Sequence, residues 1–91
     1  MHGCGHINPN NLLVGCAYYG QSDEAVQLEL FINNELVNQA MANEFTTLYS
    51  KATLPRSRYV GFHLNLNHFE NVMQIQLKVK KTGQSIFEKK L

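Results

Sequence analysis

Apolar and polar residues alternate along most of this chain with a period of two, which is typical of β-strands. The alternation is clearest from Val26 to Ile32, and a second apolar run extends from Leu36 to Ala40. Asn33 and Asn34 stand between these two runs. Because asparagine tolerates the positive φ of a tight turn, this segment predicts a β-hairpin.

The same pattern predicts strands before and after this hairpin. The segment Leu12–Tyr19 is apolar on both faces, which favours a central position in a sheet or an outer face covered by a loop. A short first strand is expected at His6-Ile7, before a turn rich in asparagine. Three further strands are predicted towards the end of the chain, at Tyr59–Leu66, Met73–Val79 and Ser85–Lys89.

The alternation fails between positions 43 and 58. The segment Glu44–Leu48 is compatible with one helical turn, and Pro55 makes Leu54–Ser57 a turn. Such a connection is too long for a hairpin loop, so we expect it to carry the chain from one sheet to another.

Together these elements predict an all-β fold, namely an antiparallel two-sheet β-sandwich of the immunoglobulin-like kind with six to seven short strands. A closed barrel is the alternative. The 91 residues are enough for one domain with a modest core, expected at positions 5–91. Positions 1–4 show no periodicity and are expected to be a flexible start, or one derived from cloning.

Composition and charge narrow the range of functions. The formal net charge is +1, so nothing calls for a nucleic-acid partner. No apolar run has the length of a membrane span, and no signal peptide is recognisable. Two cysteines cannot form a disulfide scaffold, so reduced thiols and a cytoplasmic location are expected. One bridge between Cys4 and Cys16 remains open.

His2, Cys4 and His6 occupy alternate positions, which places them on one side of an extended segment. Thiolate and imidazole groups are good zinc ligands, so these residues are candidates for a metal site. Structural zinc sites usually use paired ligands, and no second pair follows here. The alternative is an unstructured tip without a metal, and no cofactor is expected.

Sugar-binding surfaces commonly combine an exposed aromatic ring with polar side chains, because a ring offers a flat apolar face and an amide both donates and accepts hydrogen bonds. The alternative is that each tyrosine is half buried in the core, with its hydroxyl in water. The candidate ligand-binding residues of this kind are Tyr19, Tyr59, His63, Asn65 and Asn67. No catalytic residue is expected, because no nucleophile–base or paired-carboxylate pattern is visible.

Lysines gather on the last predicted hairpin, at Lys78, Lys80, Lys81, Lys89 and Lys90. A phosphate-binding patch is one interpretation. The preferred interpretation is that they keep an edge strand from pairing with other chains.

Several short motifs occur in an order that resembles a known family. They are Gly5–Ile7, Leu13–Ala17, Val26–Val37, Ala42-Asn43 and Gly61–Leu64. In this order they are similar to the small β-sandwich module attached to bacterial glycosyltransferases and other surface-polysaccharide proteins. Two positions depart from that family, because Cys16 stands where it usually has tryptophan and Asn33-Asn34 replaces Asp-Gly.

The resemblance implies a non-catalytic accessory domain, with catalysis elsewhere in a glycosyltransferase-like parent protein. Its partners would be the catalytic domain of that parent and a glycan. A protein-interaction or oligomerisation domain without sugar affinity is the second hypothesis. A small metal-binding protein that uses the N-terminal histidines and Cys4 is the third.

Overall fold

The computed structural model describes residues 1–20, 24–46 and 58–91. Within these ranges the chain forms eight strands, against the six to seven that the sequence predicts. They are β1 (His2–Ile7), β2 (Leu12–Tyr18), β3 (Val26–Ile32), β4 (Glu35–Ala42), β5 (Glu44–Phe45), β6 (Tyr59–Asn65), β7 (Gln74–Val79) and β8 (Ser85–Lys90).

The strands form two antiparallel sheets of four, as the alternating pattern predicts. Sheet A has the order β1-β2-β6-β5, and sheet B has the order β4-β3-β7-β8. The strand β2 lies between β1 and β6, in the central position that its two apolar faces favour. The two-sheet sandwich predicted from the sequence is therefore confirmed.

The core lies between the sheets and is filled by every second residue of the inner strands. On β3, Val26, Leu28 and Leu30 are fully buried, while Gln27 between them is exposed. The same alternation gives β7, beside β3 in sheet B, and β6, in sheet A, a buried face towards the core. The buried residues contributed by these two strands and their ends include Phe62, Leu64, Leu66, Ile75, Leu77 and Val79.

The hairpin between β3 and β4 is closed by Asn33 and Asn34, which have φ values of 53° and 68°. Positive φ at both positions is what a type I′ turn requires, so the predicted turn is confirmed. The strand pairing contains a bulge, because Phe31 is paired with Leu36 whereas Leu30 is paired with Asn38. Val37 is the extra residue on β4.

Between β4 and β5 the chain changes sheets within a single residue, Asn43. Ala42 ends β4 in sheet B and Glu44 begins β5 in sheet A, while the Asn43 N–H donates to the Met41 carbonyl at 2.9 Å. The helical turn predicted from Glu44 is wrong, because Glu44 and Phe45 pair with β6. The turn predicted at Leu54–Ser57 lies outside the described residues.

The first strand begins at His2 rather than near His6. His2 is paired with Tyr18 and Cys4 with Cys16, so residues 2–4 are part of a ladder and not the flexible start predicted from the sequence. The sequence does not show this because Gly3 and Gly5 interrupt any apolar pattern. The partner strand β2 supplies the hydrogen bonds that order this segment.

Strand β1 also lies across the gap from β8 of the other sheet. A Cβ on Gly3 would be 3.3 Å from Ile86 Cγ2, so the start of β1 faces the start of β8. At the other end, Ile7 and Leu91 line one small cavity. The two terminal strands therefore run side by side in the same direction, one in each sheet.

The environment of Met73 also differs from the prediction. Its position in the alternating run placed it on the buried face, but its side chain is 66% exposed and it precedes β7. The last turn contains Gly83 with a φ of 75°, and the strand after it ends at Lys90. No helix in the three described ranges is long and apolar enough to cross a membrane.

Candidate functional site

The outer face of sheet A holds most of the residues that the sequence singles out. On β6, Val60, Phe62 and Leu64 are buried while Tyr59 and His63 are exposed, as the alternation predicts. Strand pairing places Gly61 next to Cys16 on one side and Glu44 on the other. His63 is paired with Val14, and Tyr59 with Phe45. This surface is therefore built from strands β2, β5 and β6.

A shallow cavity of about 200 Å³ lies on this face. It is lined by Val14, Gly15, Glu44, Phe45, Thr46, Gly61, Phe62 and His63. A Cβ on Gly61 would be 2.9 Å from both the Glu44 carbonyl oxygen and Thr46 Cβ, so position 61 has no room for a side chain. Pockets for drug-sized ligands usually measure about 300–1,000 Å³. This cavity is smaller, and its size suits a single compact group.

Phe45 and Tyr59 form an exposed aromatic pair at one side of the cavity. Their ring centroids are 5.4 Å apart with the planes tilted by 58°. The two side chains are 56% and 51% exposed, respectively. Large aromatic side chains that remain this exposed next to each other leave apolar ring surface available for contact with another molecule.

His63 and Glu44 form the polar side of the cavity. His63 Nδ1 and Glu44 Oε1 are 2.7 Å apart, with both side chains about half exposed. A carboxylate only accepts hydrogen bonds, so the ring nitrogen is the donor in this pair. The remaining carboxylate oxygen and the other ring nitrogen are available for additional hydrogen bonds at the surface.

Asn65 and Asn67 lie at the end of β6 and have a structural role. Asn65 Oδ1 accepts hydrogen bonds from the backbone N–H and the Nδ2 of Asn67, both at 2.8 Å. Asn67 Nδ2 also donates to the Asn10 carbonyl at 3.1 Å, and its Oδ1 accepts from Asn11 Nδ2 at 3.3 Å. These two amides therefore hold the β1–β2 turn against the end of β6.

Tyr19 lies apart from the outer face of sheet A, in a cavity of about 430 Å³. Lys81 Nζ is 5.6 Å from the Tyr19 ring centroid and 3.4 Å from Glu24 Oε2. The sheet thus brings together two of the five candidate ligand residues, Tyr59 and His63. They are four residues apart on one strand, or about 13 Å at the usual rise per residue.

Phe45 and Glu44 are site residues that the sequence did not single out. Both were assigned to a helical turn, in which they would not lie beside Tyr59 and His63. A strand of two residues is too short to show alternation, so no signal within positions 44–45 identifies it. Only its pairing with β6 defines this part of the site.

His2, Cys4 and His6 point to the same side of β1, as their alternation predicts, and all three are exposed. Their neighbours on β2 are Tyr18, Cys16 and Val14. Among the described residues, no group of three or more histidine, cysteine or acidic side chains is placed to hold a metal.

Cys16 is 4% exposed, which confirms the burial expected from its strand. Burial is the main cause, and nearby Cys4 a further one, of a rise in the pKa of the Cys16 thiol from 9.0 to about 11. A thiol with this pKa is protonated at neutral pH, and the thiol is not the nucleophilic form. Cys16 is therefore unsuited to nucleophilic attack on an external substrate.

Comparisons of the chain with protein-family models, with curated proteins and with solved structures gave no match.

Proposed function

We propose that this chain is a non-catalytic accessory domain of a glycosyltransferase-like protein, and that the outer face of sheet A contacts a glycan. The observation that carries the proposal is the exposed Phe45–Tyr59 pair beside the shallow cavity over Gly61. A sugar ring has an apolar face of C–H groups that packs on an aromatic ring. Its hydroxyls are donors and acceptors that match His63 and Glu44 at the other side of the cavity.

The chemistry of the cavity favours binding over catalysis. Glycoside hydrolysis usually requires two carboxyl groups about 5–9.5 Å apart on either side of the scissile bond. Among the described residues that line this cavity, Glu44 is the one carboxylate. We therefore expect the purified domain to turn over neither nucleotide sugars nor oligosaccharides, and measurable turnover would contradict the proposal.

Glycan contact can be tested by NMR titration of the labelled domain with glucose-, galactose-, mannose- and N-acetylglucosamine-based oligosaccharides. We expect shifts of backbone signals around Gly61, Tyr59 and His63. The variant Tyr59→Ala should weaken binding by up to about tenfold, because it removes an aromatic ring whose stacking is worth roughly 0.5–1.5 kcal/mol. The control is Met73→Ala, which removes another large exposed side chain away from this face. Shifts confined to sheet B, or equal loss in both variants, would contradict the assignment.

A second candidate function, self-association, is favoured by the edge of sheet B that β4 forms among the described strands. Strand β4 has eight residues, lies at the edge of its sheet and carries one charged residue, Glu35. The opposite edge of that sheet, β8, carries Lys89 and Lys90, which discourage strand pairing. Edge strands without such protection are templates for pairing with another chain.

The bulge at Val37 makes the edge of β4 complementary to a second copy of itself. Leu36 lies opposite Phe31 and Met41 opposite Gln27, so the bulge puts these two apolar side chains of β4 on the same outer face. They are 45% and 43% exposed. Without the extra residue, their odd spacing would place them on opposite faces.

A symmetric antiparallel pair of β4 strands can then be centred on Gln39. Each Met41 faces the Leu36–Val37 bulge of the other copy, and Asn38 faces Ala40. In this register every pair of opposed side chains lies on one face, as strand pairing requires. The two Glu35 carboxylates lie at opposite ends, so the arrangement brings no like charges together.

The Asn38 side chain already uses one hydrogen-bond donor of this edge, the Gln39 N–H. The Gln39 N–H donates to Asn38 Oδ1 at 2.8 Å, so a side-chain oxygen takes the place that a carbonyl of the second copy would fill. Dimerisation exchanges this hydrogen bond for one between the two chains. Removal of the side-chain acceptor in Asn38→Ala should therefore tighten the dimer.

Analytical ultracentrifugation over a concentration series tests this second function. We expect a monomer–dimer equilibrium that is lost in Met41→Lys, which places a positive charge at the interface. The control Met73→Lys adds the same charge off this edge. A monomer at every concentration, or a dimer unaffected by Met41→Lys, would contradict pairing through β4.

A further inference from the structure

Cys4 and Cys16 are direct neighbours across the β1–β2 ladder. They are opposite each other in the strand pairing, and no disulfide joins them in the structure. Directly opposed residues of antiparallel strands have Cα atoms about 4.5–5.5 Å apart. Disulfides span Cα separations of about 4.4–6.8 Å, so the two strands already hold these residues at bridging distance.

The two side chains also meet on the same side of the sheet. Residues directly opposite each other in an antiparallel ladder place their side chains on the same face, so the Cys4 and Cys16 side chains are neighbours. Cys4 accordingly contributes to the raised pKa of Cys16. Cys4 is exposed whereas Cys16 is buried, so a reagent in solution reaches Cys4 first. The pair therefore combines an accessible thiol with a sheltered second thiol in contact with it.

We propose that Cys4 and Cys16 form a reversible cross-strand disulfide, with Cys4 as the thiol that reacts with the oxidant. The oxidant is a small disulfide such as oxidised glutathione. Cys4 Sγ attacks one sulfur, the bond between the two glutathione sulfurs breaks, and the departing thiolate takes up the Cys4 proton. The product is a mixed disulfide between Cys4 and one glutathione.

Cys16 completes the reaction. Its Sγ attacks Cys4 Sγ, the second glutathione leaves, and that glutathione takes up the proton of the Cys16 thiol. Two cysteine thiols are thereby oxidised and one small disulfide is reduced to two thiols. The high pKa of Cys16 makes its thiolate scarce at neutral pH, so this second step is the slow one.

The bridge would fasten an edge strand that is otherwise held by hydrogen bonds to β2 and by packing against β8 and the core. Gly5 of β1 contributes to the core, since a Cβ there would be 3.4 Å from both the Phe62 ring and Leu13 Cδ1. Loss of β1 from the sheet would open this part of the core to water. Oxidation thus links the redox state of the surroundings to the stability of sheet A.

Intact mass spectrometry after incubation with oxidised glutathione tests the proposal. We expect an early species one glutathione heavier, followed by a species lacking two hydrogens relative to the reduced protein. The second step should accelerate as the pH rises towards 9, because the Cys16 thiolate fraction increases. Oxidation should raise Tm by on the order of 10 °C, and dithiothreitol should reverse it.

Two variants make the test specific. Cys4→Ser should give neither species, because it removes the accessible thiol. The double variant Cys4→Ser, His6→Cys keeps an accessible thiol on β1 but moves it opposite Val14, so it should stop at the mixed disulfide. The proposal is overturned if the native chain keeps both thiols, stops at the mixed disulfide, forms only disulfides between molecules, or loses stability on oxidation.

Discussion

Leu30 and Gln76 are close neighbours in sheet B with opposite environments. Leu30 is fully buried between the sheets, whereas Gln76 lies on the outer face and its Nε2 donates to Glu88 Oε1 at 2.9 Å. The variant Leu30→Asp should unfold the domain. Loss of the leucine packing costs about 2–5 kcal/mol, and an unpaired buried charge adds to this. Small domains have a total stability of only about 5–15 kcal/mol.

The matched change Gln76→Asp should cost less than about 1 kcal/mol, because the new carboxylate stays in water and meets only the facing Glu88. Thermal melts of both variants provide the measurement. Equal damage from the two changes would mean that both faces of β7 are buried, which is incompatible with a two-layer sandwich.

Cys16 makes stability depend on pH in the alkaline range. The folded protein keeps the Cys16 proton up to a pKa of about 11, whereas the unfolded chain loses it near 9.0. Stability from this residue is complete below pH 9 and is lost as the pH rises through this window, since the unfolded state then binds fewer protons. The loss amounts to about 2–3 kcal/mol at two pKa units.

Urea unfolding at a series of pH values from 8 to 11 measures this effect. Cys16→Ala is the control, because it removes the thiol while lysine and tyrosine ionisation stays the same. We expect the slope between pH 9 and 11 to be shallower in the variant. Parallel curves would show that Cys16 is not the titrating group.

At the level of single residues, alternation predicts burial well where both neighbours belong to one long strand. Leu28, Leu30 and Phe62 are buried as their positions in the pattern predict. Met73 is not, because it lies just before the residue at which β7 begins. There the backbone direction is set by the neighbouring strand and not by the local pattern.

Among the elements, the β3–β4 turn has a feature that its sequence does not show. Asn33 Oδ1 accepts hydrogen bonds from the backbone N–H groups of Met73 and Gln74, at 2.7 and 3.0 Å. Its Nδ2 donates to the Asn71 carbonyl at 3.0 Å. The turn of one hairpin therefore also positions the segment that leads into β7.

The two turn asparagines should consequently differ in their response to glycine. Both have positive φ, which glycine adopts without strain. Asn34→Gly should change stability by less than about 1 kcal/mol. Asn33→Gly removes three hydrogen bonds and should cost about 2–4 kcal/mol.

Denaturant unfolding of the two single variants compares them directly. Asn33→Asp is a useful third variant, because it keeps the oxygen that accepts two of the three bonds and should fall between the others. If both glycine variants are equally stable, the side chain of Asn33 does not contribute to the attachment of β7.

Long strands and the hairpin turn could be predicted from the sequence, whereas β1 and β5 could not be placed correctly. Strand β1 is glycine-rich and β5 has two residues, so neither carries a periodic signal of its own. Both are edge strands, and each forms because a longer neighbouring strand supplies backbone N–H and C=O groups with which it can pair. The residues at which β1 and β5 begin and end are therefore set by their pairing within sheet A.

For the whole molecule, the two sheets and their separation could be anticipated, but the candidate site could not. Val14, Glu44 and His63 belong to three different strands, and their proximity depends on the order β2-β6-β5. Local sequence patterns carry no information about that order. The five candidate ligand residues follow from residue type alone, and only Tyr59 and His63 lie beside the cavity on the outer face of sheet A.

The parallel course of β1 and β8 sets how the ends of this chain are arranged. Gly3 faces Ile86 and Ile7 lies near Leu91, so Met1 and Leu91 are separated by about the length of a strand, roughly 20 Å. In a tandem fusion of copies, the chain would enter each sandwich at one end and leave it at the other. The copies would therefore follow one another along a line. A circular permutant opened at the β1–β2 turn would need a linker of about six extended residues or more to rejoin the original ends.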